Sequence, residues 1–503
     1  MVELRILFLA VAALFCLLTP VQAEWAKIYG GEGNETAYAI QRTDDGYVVA
    51  GWTDSLGDTD IWIVKLDGEG NVVWEKSYGS PLDDYAYSIQ KVSDGYVIAG
   101  KAGSKSYSGS RTQFDIFYGL VMKVDEYGNV LWAKKYDKNV DDEPIQENAF
   151  HSIRQTSDGG YVVAGYTTIP SDPLREIEYN IWILKLDANG NVMWEKVLDM
   201  YNRDKAYSIQ QTGDGGYIVA GVAADYNVIS FPNPYRSNLW MVKLNSSGFV
   251  EWEGIYDWKV VDEFSSLQQA DDGYVVAGTS RSAGVLSPNV YESWILKIDN
   301  SGHIRWQRTY NESTYEKISS IQKVNDGYVV AGSAAGDVWI FKIDGSGLIQ
   351  WQKRYGGDKS DWAADVKKAD DGYVVASNTR SFSSDSDFWI LKLNDYGSVT
   401  GLCLYEIVAN AQIGEAGFDE YVFAPAPLLQ PAGINVNSLD LQTSGISPIS
   451  NAICPLQAGG TPTPIQTPTL TPLPDQTSIP EFSGVWMGIA VVITALVAGR
   501  MMR

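Results

Sequence analysis

One short phrase recurs seven times in this chain. It appears as Asp45-Gly46-Tyr47, Asp94-Gly95-Tyr96, Asp158-Gly159-Gly160-Tyr161, Asp214-Gly215-Gly216-Tyr217, Asp272-Gly273-Tyr274, Asp326-Gly327-Tyr328 and Asp371-Gly372-Tyr373. After each comes Val/Ile-Val/Ile-Ala-Gly, with Ser377 replacing the last Gly, then an apolar run such as Ile61-Trp62-Ile63-Val64-Lys65-Leu66-Asp67, a turn and usually a Trp. A unit of this size cannot bury an apolar face alone, so the copies must stack on one another, as a closed ring or as an open array.

The stretch from Ala86 to Trp132 shows the design of one unit. Tyr87–Gln90 is a short alternating strand, and Asp94-Gly95 supplies the positive-φ positions of a tight hairpin. Tyr96–Ala99 has the β-branched and aromatic content of a buried strand, Leu120–Asp125 is a third strand, and Val130–Tyr136 a fourth. Sisters of the third strand are Ile181–Asp187, Leu239–Asn245, Trp294–Asp299, Val338–Asp344 and Phe388–Asn394, and the turn that follows is Asp/Asn-x-x-Gly. Four strands per unit predict the blade of a propeller.

Closing Trp residues stand at 74, 132, 194, 252, 306 and 351, six for seven units. The seventh lies at the start, where Trp25-Ala-Lys-Ile-Tyr29-Gly-Gly matches Trp351-Gln-Lys-Arg-Tyr355-Gly-Gly. The fold expected is therefore all-β, a seven-bladed β-propeller of four-stranded blades over residues 24–400, closed by the N-terminal strand. An open solenoid would leave the missing Trp unexplained. Strand spacing is held while the second-to-third-strand connections grow to Lys101–Phe114, Thr167–Tyr179 and Val222–Asn238, the layout of variable loops on a rigid frame; Ser333–Asp337 is short.

The pattern Lys-Leu-Asp-x-x-Gly-Asn-Val-x-Trp resembles the repeat of quinoprotein-like (PQQ-like) propellers, over residues 25–400. In that family the Trp docks between neighbouring blades. The resemblance is one of blade design and does not carry the cofactor; those dehydrogenases use eight blades and a dedicated cofactor site.

Both ends read as export signals. Residues 1–23 have an apolar run, Ile6–Leu18, and end on Val21-Gln22-Ala23, as a secretory signal peptide does. Residues 461–478 form a Thr/Pro-rich stalk, which cannot build a core. Residues 479–503 contain Pro480-Glu481-Phe482, the apolar Val485–Ala498 as a transmembrane helix, and the terminal Arg500 and Arg503. That order resembles the PEF-CTERM sorting signal of archaeal surface proteins. The resemblance implies an archaeosortase-like processing enzyme as partner, and an exported protein held at the cell surface by its C-terminal helix or by a lipid that replaces it. The formal net charge of −24 excludes nucleic acid as a partner and opposes anionic lipid.

Residues 401–460 lack the repeat and read as a small cap or appended module tied by a Cys403–Cys454 disulfide. Asn34, Asn245 and Asn311 stand in glycosylation motifs. Trp52, Trp258 and Trp362 fall outside the scaffold pattern, with Trp258 and Trp362 assigned to loops before a first strand, and are candidates for contact with a sugar or protein. One position ahead of each first strand reads Glu35, Asp84, Asn148, Asp204, Asp262, Glu316 and Asp361. Facing the channel mouth, such an acidic ring can hold Ca²⁺; facing the loops, it satisfies backbone amides. The two histidines have no partner at ligand spacing: His151 replaces Tyr87 by register, and His303 a turn residue. With no Gly-x-Ser-x-Gly and no paired nucleophile, the sequence points to a non-catalytic surface module that binds polysaccharide or surface-layer protein, with no cofactor. An exported carbohydrate-active enzyme using propeller carboxylates is the alternative.

Overall fold

The structure, a computed structural model, describes residues 24–399 apart from 109–111, 139–146, 170–177, 202, 226–235, 258–260, 285–286 and 314, together with six short strands between Glu406 and Ala452. The expected signal peptide (residues 1–23), Trp258, Cys403, Cys454, the expected stalk (461–478) and residues 479–503 with Pro480-Glu481-Phe482 lie outside the described residues.

Seven blades of four antiparallel strands form the propeller. Blade one is Glu35–Thr43, Gly46–Thr53, Asp60–Asp67 and Val72–Gly79, paired in that order. Blades two to six repeat it from Asp84, Asn148, Asp204, Asp262 and Glu316. Blade seven has Asp361–Ala369, Gly372–Thr379 and Asp387–Asn394, and its fourth strand is Trp25–Tyr29, with Trp25 opposite Lys392 and Tyr29 opposite Phe388. The N-terminal strand closes the ring, as the displaced Trp predicts.

The core is not one mass but seven slabs between neighbouring blades. Third strands such as Ile61–Leu66 are buried on both faces, which explains their continuous apolar run. Trp62, Trp182, Trp240, Trp294, Trp339 and Trp389 at their centres are fully buried.

Two repeated polar contacts hold this stack. The first is a clasp between blades. Trp74 donates its indole N–H to the Glu126 carbonyl (2.9 Å), and Tyr78 donates its hydroxyl to the Gly128 carbonyl (2.6 Å), both in the third-to-fourth-strand turn of the next blade. Trp25 and Tyr29 do the same to Gly68 and Gly70, Trp252 and Tyr256 to Asn300 and Gly302, and Trp306 and Tyr310 to Gly345 and Gly347. The turn glycine has no alternative: Gly128 has φ +76°, and a Cβ there would lie 2.9 Å from the Trp74 ring. The second contact is an ion pair within each blade. The third-strand lysine reaches the aspartate of the Asp-Gly hairpin: Lys65 to Asp45 (2.6 Å), Lys123 to Asp94 (2.8 Å), Lys185 to Asp158 (2.8 Å), Lys243 to Asp214 (2.9 Å), Lys342 to Asp326 (2.8 Å), Lys392 to Asp371 (2.5 Å), and Lys297 to Asp272. An ammonium as buried as that of Lys65 or Lys392 requires such a partner.

The variable connections differ from the expected loops. In blade two the hairpin continues through this stretch, as Gly95–Ser108 paired with Thr112–Val124, and in blade three Thr167–Ile169 pairs with Glu178–Asn180. Ladder pairing satisfies backbone groups that an irregular loop would leave to solvent.

Within residues 401–460 the described strands lie along the propeller rim as fifth strands, in reverse blade order. Glu406–Ile407 pairs with blade six, Gln412–Gly414 with five, Asp419–Phe423 with four, Asn435–Ser438 with two, Gln442–Ser444 with one, and Asn451–Ala452 with the closing strand at Ile28. This belt covers sheet edges that would otherwise be open to another chain.

Two outcomes follow. Gly128→Ala should destabilise the protein by about 2–4 kcal/mol, from the left-handed φ and the clash with Trp74. Gly213→Ala, at a turn with nothing within 4 Å of a new Cβ, should be within ~0.5 kcal/mol of wild type; urea titration of both variants checks this. A chain ending at residue 399 should melt several degrees lower and self-associate, and light scattering against the full chain reads out the exposed rims.

Candidate functional site

In each blade the first strand starts on the face where the second-to-third-strand hairpins also emerge, because the strands alternate in direction. Every first strand carries a β-bulge three residues in, at Ala37/Ala39, Ala86/Ser88, Phe150/Ser152, Ala206/Ser208, Phe264/Ser266, Ile318/Ser320 and Ala363/Asp365. A bulge leaves one residue without a cross-strand partner and re-aims its side chain. The seven residues so placed are Tyr38, Tyr87, His151, Tyr207, Ser265, Ser319 and Ala364, and all seven line the central channel, in a cavity of about 460 Å³. Four consecutive blades thus contribute rings and the other three contribute small groups.

The rings form a contiguous arc. Tyr38 meets Tyr87 edge-on at 5.3 Å between centroids, Tyr87 meets His151 at 4.8 Å, and His151 meets Tyr207 at 4.7 Å. Tyr85 stacks on Tyr87 at 6.0 Å, and Trp52 abuts Tyr85 at 6.1 Å. Behind the arc, Glu147 accepts hydrogen bonds from Tyr166 (2.7 Å) and Tyr179 (3.0 Å), and Lys101 lies 3.6 Å from it. The Lys205 ammonium sits over the rings of Tyr166 (3.9 Å) and Tyr179 (4.2 Å). Burial, with Lys205 and Lys101 nearby, pushes the His151 imidazole down to about 3, so it is neutral at physiological pH.

A second cavity of about 490 Å³ shares Tyr38, Lys317, Ser319 and Ala364 with the first and runs over blades six and seven to Tyr315 and Trp362. Trp362 is not in a loop; it is the second residue of the strand Asp361–Ala369, half-buried, with the Arg380 guanidinium 5.8 Å from its ring. Trp52 is likewise in a strand, Gly46–Thr53. Trp362 lines this second cavity, whereas Trp52 lines neither cavity and packs against Tyr85 behind the arc.

The acidic positions face the loops. Glu35 accepts from the Gly31 amide (2.9 Å) and the Thr53 and Ser55 hydroxyls (both 2.6 Å). Asp84 accepts from the Ser80 amide (2.5 Å), Asp204 from the amides of Met200 (2.7 Å) and Tyr201 (2.8 Å), Glu316 from those of Glu312 (3.0 Å) and Ser313, and Asp361 from the Gly357 amide (3.0 Å) and Thr379 hydroxyl (2.5 Å). In blade three Asn148 takes this place, accepting from Thr167 and donating to the Phe117 carbonyl. The strand residue Asp262 has the corresponding backbone position. The described acidic side chains each bond within their own blade junction, and among the described residues no three His, Cys, Asp or Glu side chains converge as an ion-binding group. Of the glycosylation motifs, Asn245 accepts from the Ser247 and Phe249 amides, Asn34 bonds with Asp54, and Asn311 lies in the strand Ile304–Asn311.

No protein-family model matches the chain, and no curated protein matches it. The site must be read from its own residues. Reasoning from the repeat missed the arc of Tyr38, Tyr87 and Tyr207 and noted His151 only as a substitution. The available signal was the first-strand bulge position, where the chemistry changes halfway round the ring.

Burial pushes the Asp84 and Asp204 carboxyls up to about 7, against an ordinary 3.8. The folded protein thus holds these protons more tightly than the unfolded chain. Their contribution is full below pH ~4 and is lost as pH rises through ~7. The Lys185 partner holds Asp158 down at about 2, which acts in the opposite sense, with stability lost only as pH falls below ~4. The melting temperature should therefore decline between pH 5 and pH 8, and the double variant Asp84→Asn, Asp204→Asn should flatten that decline. Differential scanning calorimetry across this range checks it.

Proposed function

We propose that this protein is an exported, non-catalytic surface propeller that binds a polysaccharide at its channel mouth, held at the cell surface through the C-terminal sorting signal that the sequence resembles. The observation that carries the reading is the composition of the mouth. An arc of aromatic faces stands on blades one to four and hydroxyl groups on blades five and six, around cavities of about 460 and 490 Å³, a size that suits one or two sugar units. Aromatic faces pack against the C–H faces of sugar rings while serine hydroxyls and lysines take the sugar oxygens. The carboxylates that line the cavities are Asp365 and Asp361, and both are held by protein groups: Asp365 by Lys367 (2.5 Å) and Ser320 (2.7 Å), Asp361 by the loop and Thr379. That supports binding over glycoside hydrolysis, which needs a free acid and base. The arc continues behind the mouth into rings that pair with lysines, so the aromatic groups are fixed before a ligand arrives.

The test is a polysaccharide array read with the purified protein, followed by titration calorimetry on the best ligand. Tyr38→Ala and Trp362→Ala should each weaken binding about tenfold, equivalent to ~1.4 kcal/mol, with unchanged melting temperature. Retained affinity in both variants would sink the channel-mouth site. Binding only to surface-layer protein would replace polysaccharide with a protein partner.

A further inference from the structure

In a chain built from internal copies, a scaffold position repeats and an exception calls for a reason. Three residues past the bulge residue of each first strand, the copies read Gln41, Gln90, Arg154, Gln210, Gln268, Gln322 and Lys367. The glutamines serve the frame: Gln90 accepts from the Gln155 amide (2.6 Å) and Gln210 donates to the Leu267 carbonyl (2.8 Å). Two copies are cationic instead. Lys367 brings its own counter-ion, since the neighbouring exception is Asp365, 2.5 Å away, where five other blades have serine. Lys317, nearer the mouth, is paired with Glu263 at 3.3 Å. Among the described residues Arg154 forms no ion pair. Its Nη1 donates to the Ile153 carbonyl (2.7 Å) and meets the Ser88 hydroxyl at 3.5 Å. It lines the same cavity as the aromatic arc.

We propose that the site is built for an acidic sugar, and that the Arg154 guanidinium receives the carboxylate or sulfate group of one unit. This rests on the carbohydrate reading above. A guanidinium presents a planar fork of donors that matches either anion, and a desolvated one is costly until such an anion meets it. Enclosure disfavours its charge, which the carboxylate of Asp365, already engaged by Lys367, Ser320 and the Ile40 and Val366 amides, only partly offsets. Arg154 lies three residues beyond His151 on one strand, ~10 Å deeper into the channel. The anionic group therefore belongs to a chain end or side branch that enters end-on, not to a polymer lying flat across the mouth. On a surface with net charge −24, a lone enclosed cation also confines anion binding to this point, because the rest of the molecule repels polyanions.

The variant to use is Arg154→Gln, because five blades carry Gln at this position and the frame accepts it. Three probes are titrated calorimetrically into wild type and variant: a glucuronate-terminated oligosaccharide, its neutral glucose-terminated counterpart, and inorganic sulfate. Wild type should prefer the acidic over the neutral ligand at least tenfold. R154Q should abolish that preference, leave neutral binding within about twofold, and keep the wild-type melting temperature. A tenfold gain for sulfate over the uronate would assign the anion as a sulfate ester. Equal affinity of wild type for acidic and neutral ligands, or a preference that survives in R154Q, overturns the inference while the carbohydrate reading stands. Should neither sugar bind, that reading falls, and sulfate decides alone: binding lost in R154Q sustains the anion site, and no binding ends it.

Discussion

The clasp between blades is the constraint on which the ring depends. Six of the seven fourth strands carry a Trp and, four residues later, a Tyr that face the next blade's turn, and Trp74 and Tyr78 donate there to the Glu126 and Gly128 carbonyls. The indole N–H and phenol O–H are each satisfied by a carbonyl while their rings fill the groove, so burial carries no unpaired polar group. The contact acts only between neighbours and always in one direction. A chain of such units has an unmet donor pair at one end and an unmet turn at the other. Trp25 and Tyr29 bring the two together, donating to Gly68 and Gly70 from the strand that completes blade seven. The belt residues Asn451–Ala452 then pair with that same strand, so the closing element is held on both of its edges. Closure fixes seven first strands around the axis, and only then do the bulge residues meet to form a site.

Burial pressure explains how the clasp and the hairpin ion pair divide the work. Third strands lie between two slabs of core and have no free face. The lysine in their apolar run can be there because its stem runs through apolar surroundings while its ammonium reaches the hairpin aspartate. The same Asp-Gly pair therefore sets the turn and neutralises a buried charge. This couples the most recognisable phrase in the sequence to the most buried strand of the blade.

Much of this was legible beforehand, and the reason is repetition. Seven copies of Asp-Gly-Tyr, the Asp/Asn-x-x-Gly turn and the Trp displaced to residue 25 determine blade number, strand number and closure, because each is a local signal multiplied. The belt was not legible: Glu406–Ile407, Gln412–Gly414 and their successors are two to five residues long, paired to distant rims through backbone groups that leave no side-chain period. The acidic positions were visible as a pattern, but not their direction, since amides such as that of Gly31 and a channel ion make equal demands on a carboxylate in sequence. Trp362 and Trp52 stood out as unassigned aromatics, although both belong to strands. The arc escaped because a bulge shifts the inward-facing position by one, and alternation alone hides Tyr38, Tyr87 and Tyr207 among core residues.

The exceptions to the repeat are not scattered. Blade three has Asn148 where the other six blades have an acid, His151 where its neighbours have Tyr, Arg154 where five blades have Gln, and Leu198 where the other fourth strands carry the clasp Tyr. Among the described residues its outer strand, Val192–Leu198, is also the one without a belt partner. Scaffold demands are the same in every blade, so drift confined by scaffold alone would not concentrate in one copy at both its inner and outer edges. Two of these exceptions, His151 and Arg154, line one cavity, where a neutral imidazole in an aromatic arc lies above a guanidinium with no ion-pair partner among the described residues. Leu198 removes the hydroxyl donor of the clasp to blade four, although Trp194 still covers Gly248 there. The physical asymmetry of the ring therefore lies in blade three.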